Sequence, residues 1–70
     1  MKKLRYETEQ GEVSLGEMKR ALEREIKLRR YVYWKKVRDG QMSVREAERE
    51  VRVMEAVLEL VREQDEPRLL

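Results

Sequence analysis

The sequence predicts an all-α fold, an antiparallel helical hairpin that dimerises into a four-helix bundle. Three observations point there: a composition suited to long helices, two helix-start signals of one design with a glycine stop between them, and more apolar helix surface than one hairpin can cover. Charged residues are 46% of the chain, yet the net charge is only +2, so both signs are abundant and mixed. Glycine and proline together number four, asparagine is absent and threonine appears once. This is poor material for the many turns of a β-rich fold and good material for helices.

A chain of 70 residues makes one small domain. At that size a single core is marginal and is usually supplemented by disulfides, a metal or a partner chain. No cysteine is present, which removes the disulfide and the thiolate metal site. No histidine is present either, which removes the usual zinc ligand and the usual general base at neutral pH. A second copy is then the leading source of extra stabilisation, and no metal or cofactor is expected.

Ser14 and Glu17 are spaced as a capping box, in which the serine hydroxyl accepts from the Glu17 N–H and the glutamate reaches back to the Ser14 N–H. Ser43 and Glu46 repeat the pattern 29 residues later. Each cap contributes about 1 kcal/mol. Gly40 can take the left-handed conformation that closes a helix, and Lys35, Lys36 and Arg38 before it suit the negative end of a helix dipole. These signals place helix 1 at about 15–39 and helix 2 at about 44–65, within a hairpin domain of 13–66, with Pro67 ending the second helix. A loop this short forces the helices antiparallel. Residues 1–12 form an arm in which Leu4, Tyr6 and Thr8 alternate with charged residues, fitting either a short extended segment or an extra helical turn. Residues 67–70 form a tail.

Helix 2 carries Val44, Ala47, Val51, Met54, Leu58 and Val61 at alternating steps of three and four, a heptad seam. Helix 1 answers with Leu15, Met18, Leu22, Ile26, Tyr33 and Val37. Arg29 falls in that stripe; its stem lies on apolar surface, or its head pairs with a glutamate of helix 2 across an interface. Beyond the seam, helix 2 has a second apolar row, Val53, Ala56, Val57 and Leu60, and helix 1 has Ala21, Leu28 and Val32. Eight of the eleven residues from Val51 to Val61 are apolar. A helix apolar on both sides is a buried helix, and a lone hairpin buries only one side of each. These seven residues are therefore the expected self-association surface, with a homodimer favoured.

Charge is unevenly shared. Residues 15–39 hold nine Lys or Arg against four Asp or Glu, whereas residues 44–66 hold four against eight. Opposite signs on two antiparallel helices attract along their flanks. Arg20, Arg24, Lys27, Lys35 and Arg38 also share the face of helix 1 away from its core stripe, with Tyr31 and Trp34 among them. Basic residues hold phosphates and aromatic rings stack on unpaired bases, so this face is a candidate nucleic-acid contact, or equally a protein contact anchored by Trp34. Catalysis has little to draw on: Ser14 and Ser43 serve as caps, and no nucleophile–base pair or metal spacing is present.

Tyr33, Val37, Gly40, Met42, Ala47, Glu50, Val51, Met54, Ala56 and Val57 form a run of Y, V-x-x-G-x-M and A-x-x-E-V-x-x-M-x-A-V. The stretch from 25 to 60 resembles small all-helical proteins encoded by phages and prophages, which carry a tyrosine-rich helix end, then G-x-M, then A-x-x-E-I-x-x-M-x-A-I-L. The resemblance covers about half of the chain. It implies an accessory protein of undetermined activity and supplies no catalytic residues. No apolar run reaches the about 20 residues that span a bilayer, and no apolar stretch follows the basic start, so no membrane partner and a cytoplasmic location are expected. The function expected is non-enzymatic: binding to another protein, with RNA or DNA binding through the basic-aromatic face of helix 1 as the alternative.

Overall fold

The computed structural model describes residues 5–65. In chain order these form strand β1 (Arg5–Thr8), strand β2 (Gly11–Ser14), helix α1 (Leu15–Arg38) and helix α2 (Val44–Asp65). The molecule is thus mostly a helical hairpin, with a small antiparallel sheet before it. Pro67, the 67–70 tail and the first four residues of the expected arm lie outside the described residues.

The β-hairpin corrects the expectation of a purely helical chain. Arg5 faces Ser14, Tyr6 faces Val13, Glu7 faces Glu12 and Thr8 faces Gly11. The turn is held by the Thr8 hydroxyl, which donates to the Gly11 carbonyl at 2.8 Å and accepts from the Gln10 N–H at 3.2 Å. Neither Glu9 nor Gln10 takes a positive φ, so this is not the mirror-image turn that usually closes a tight hairpin. Gly11, at φ +129, absorbs the reversal instead. The alternation of Tyr6 and Thr8 with charges correctly signals extended backbone. What it lacks is the Asn-Gly or Asp-Gly pair that announces a hairpin from sequence.

β2 runs directly into α1. Ser14 has extended dihedrals, accepts from the Glu17 N–H at 3.1 Å, and its own N–H donates to Glu17 Oε2 at 3.1 Å, so the first capping box is complete. At the other end Gly40 sits at φ +74. The Gly40 N–H donates to the Val37 carbonyl at 3.1 Å and the Gln41 N–H to the Lys36 carbonyl at 2.8 Å. This pair of bonds is a Schellman motif, which satisfies carbonyls the ending helix would otherwise orphan. The space around a Cβ at Gly40 is empty, so Gly40→Ala meets no clash and costs only backbone strain. The expected loss is about 1–2 kcal/mol, to be read from a urea unfolding midpoint. The second capping box is only half made. The Ser43 hydroxyl accepts from the Glu46 N–H at 3.0 Å, but the Glu46 carboxylate does not return to the Ser43 N–H.

α1 and α2 pack antiparallel. Leu15, Ile26 and Tyr33 of α1 and Leu58 of α2 are the buried core among the described residues. Met18, Leu22 and Val37 on one side and Ala47, Val51, Met54 and Val61 on the other are half-buried around them. Val44 departs from its expected place in the seam: it stands 58% exposed, at the loop end of α2. Three ion pairs cross between the helices, Lys19–Asp65 at 3.2 Å, Arg62–Glu23 at 3.6 Å and Arg30–Glu55 at 2.5 Å. Two of the three join a cation of α1 to an acid of α2, as the charge imbalance predicts. Lys19–Asp65 is half-buried; the two exposed pairs, Arg62–Glu23 and Arg30–Glu55, fix register more than they add stability.

Arg29 makes no pair with a glutamate of α2. Its Nε donates to Glu25 Oε1 at 2.8 Å on its own helix, and its Nη1 donates to the Tyr33 hydroxyl at 3.0 Å. The carboxylate of Glu25, and then the Tyr33 phenol, push the guanidinium pKa above its ordinary value, so Arg29 stays charged at every accessible pH. Its structural service is to satisfy the polar end of the buried Tyr33 ring, which a phenol at a core edge requires.

Candidate interaction surfaces

The shortest dimension of the chain is 14 Å. A single helix with its side chains is about 10–12 Å across, so the hairpin is one layer thick. Both broad flanks of that layer face outward, and they differ in character.

The difference follows from helical geometry. At about 100° per residue, Ala21, Leu28 and Val32 lie about a third of a turn to one side of the α1 core stripe. Val53, Val57 and Leu60 lie at a roughly similar angle, of the same hand, from the α2 core stripe, with Ala56 farther round toward the back of the helix. Antiparallel helices that face each other are related by a two-fold axis normal to the hairpin plane, so offsets of the same hand emerge on the same flank. The crossing ion pairs join residues whose numbers sum to 84 or 85. By that register Leu28 stands level with Val57, and Val32 with Val53. All seven residues are exposed, Leu28 to 56% and Leu60 to 63%. Leu60 also borders a shallow apolar groove with Tyr6, Leu15, Met18 and Val61, which carries the patch on to the β-hairpin.

The opposite flank is polar along most of its length. Arg30–Glu55 and Arg62–Glu23 run along it. At the loop end it opens into a mostly apolar cleft of about 410 Å³, walled by Tyr33, Trp34 and Val37 of α1 and by Val44, Ala47 and Val51 of α2. Arg30, Glu48, Arg52 and Glu55 form its rim. The exposed Val44 is explained by this cleft, which the heptad pattern alone does not reveal.

A third surface is the outer edge of α1, opposite its core stripe; at its margin Trp34 also walls the loop-end cleft and Lys27 lines a groove shared with α2. Arg20, Arg24, Lys27, Tyr31, Trp34, Lys35 and Arg38 are all exposed there. Lys35 Nζ lies 5.5 Å from the centre of the Tyr31 ring and the Arg38 guanidinium 5.2 Å from that of Trp34, two cation–π contacts between residues four apart. Arg38 Nε also donates to Asp39 Oδ1 at 3.1 Å. The three acids of α1 are engaged elsewhere: Glu17 in the cap, Glu23 with Arg62 and Glu25 with Arg29. Among the described residues Arg20, Arg24 and Lys27 make no ion pair. The structure thus brings the expected basic-aromatic residues onto one continuous edge, separate from the apolar flank.

No helix among the described residues is long and apolar enough to cross a membrane. No family model matches this chain, and no curated protein or solved structure matches it.

Proposed function

We propose that the protein is a non-enzymatic helical interaction module whose first partner is a second copy of itself. The carrying observation is the exposed apolar row shared by α1 and α2 on one flank of a hairpin only 14 Å thick. Domains are built from at least two packed layers around one core, and this chain supplies one. Two hairpins placed flank to flank about a two-fold axis supply the second layer. Leu28, Val32, Val53, Val57 and Leu60 of each copy then form the middle of a four-helix bundle. Such an interface is isologous, so one apolar patch serves both sides.

The ion-paired flank stays open in that assembly. Its loop-end cleft, apolar inside and charged at the rim, is the surface left for an apolar side chain of another protein. The resemblance to phage-encoded helical proteins supports an accessory role of this binding kind in the cytoplasm. Sedimentation equilibrium at micromolar concentration tests the first step. The expected species has twice the 8.6 kDa chain mass. A folded species of 8.6 kDa under those conditions rejects the proposal.

A further inference from the structure

We infer that the outer edge of α1 is a binding site for a single nucleic-acid strand, with Arg20, Arg24 and Lys27 holding phosphates and Tyr31 and Trp34 stacking bases. This reading does not depend on self-association, because none of these residues belongs to the apolar row of the flank, although Trp34 at the margin of the edge also walls the loop-end cleft. Three features of the site select this occupant. Four of the five cations are uncompensated: the acids of α1 are committed to the cap, to Arg62 and to Arg29, and of the edge cations only Arg38 has an acid, Asp39, which leaves the edge positive although the whole chain is nearly neutral. The rings are exposed, Tyr31 to 60% and Trp34 to 58%, which an apolar role in the core would not allow. Each ring is also held by a cation at i+4, Lys35 over Tyr31 and Arg38 over Trp34. A ring steadied on one side presents its other side at lower entropic cost, which is what stacking on an unpaired base uses.

The arrangement is graded along the helix. Arg20, Arg24 and Lys27 come first, at steps of four and three, then the two rings with their cations. At about 1.5 Å per residue the edge from Arg20 to Arg38 is about 27 Å long, enough for several nucleotides. A duplex keeps its bases stacked inside and offers the rings nothing, so the aromatic half of the edge favours a strand with free bases. An acidic protein helix would use the cations and leave both rings without a matched partner.

Trp34 is the single tryptophan of the chain and reports on its own contact. The test titrates the full chain with a short oligothymidylate, an oligouridylate of equal length, a duplex and a polyglutamate peptide, following Trp34 emission and the anisotropy of labelled ligand. The expected result is binding of both single strands with quenched emission. The four unpaired cations of the edge, Arg20, Arg24, Lys27 and Lys35, give a salt slope of about −2.8, so affinity falls about fiftyfold between 50 and 200 mM salt. Arg24→Glu with Lys27→Glu should weaken binding at least tenfold and leave the circular dichroism spectrum unchanged, since neither cation is paired. Trp34→Ala should weaken it by about tenfold through lost stacking. No binding at 50 mM salt overturns the inference. So does binding without a change in Trp34 emission, polyglutamate or duplex binding as well as the strands, or full affinity in the charge-reversed chain.

Discussion

Leu58→Ala will unfold the hairpin or lower its melting temperature by 10 °C or more. Leu58 is the buried side chain of α2, 6% exposed among the described residues, and it meets a core whose other buried members, Leu15, Ile26 and Tyr33, all come from α1. Removing it takes away the one buried anchor that α2 contributes among the described residues. Large-to-small changes at buried leucines cost about 2–5 kcal/mol, because the lost transfer energy is joined by that of the cavity left behind. A domain of this length has a total stability of that order, and each kcal/mol moves its midpoint by about 4–8 °C. Val44→Ala is the matched control. Val44 belongs to the same heptad seam but is 58% exposed, so its truncation should shift the midpoint by no more than a degree or two. Far-ultraviolet circular dichroism melts of the two variants check the contrast. Equal losses would mean that the seam is buried uniformly, contrary to the structure.

Val57→Asp will split the assembled bundle into single chains. In an isolated hairpin Val57 is 43% exposed, and a carboxylate there would be a surface change of little consequence. In a bundle formed through the apolar flank, the same carboxylate would be buried twice over, once per copy, among the apolar side chains of the patch. Burying an uncompensated charge costs several kcal/mol, so dimer affinity should fall by at least a thousandfold. Sedimentation equilibrium would then show 8.6 kDa, and the melt of the variant would lie below that of the parent chain at equal concentration. Wild-type behaviour in both measurements would place the interface elsewhere. Glu48→Ala, at the rim of the cleft on the opposite flank, should leave association unchanged.

The helical part of the fold is legible because each level of the sequence agrees with the next. Ser14 with Glu17 and the glycine at 40 are local signals, and the seam from Ala47 to Val61 is a periodic one; all follow from side chains a few residues apart. The β-hairpin is half legible. Alternation at Tyr6 and Thr8 marks extended backbone, but its turn relies on a threonine hydroxyl and on Gly11, a solution no dipeptide rule announces. Arg29 shows where periodicity misleads. It sits in the stripe, yet its partners are Glu25 and Tyr33, one turn away on either side, because the nearest carboxylate and the nearest buried phenol both lie on its own helix. The cleft at Val44 was not legible either. It depends on how the two helices are set against each other at the loop end, which the spacing of the seam does not encode. The outer edge of α1 was visible as a charge pattern, whereas its two cation–π contacts required side-chain conformations.

The backbone at Gly40 has a consequence for how chains can exchange parts. Its left-handed dihedral turns the polypeptide back on itself, so that Leu58 finds Ile26 of the same molecule. A right-handed residue there would favour joining α1 and α2 end to end, as one rod about 75 Å long. Each rod would then need another chain to replace its lost neighbour, and the product would be an interlocked, domain-swapped assembly. A single torsion thus separates a self-sufficient fold-back from a mutual loan of helices.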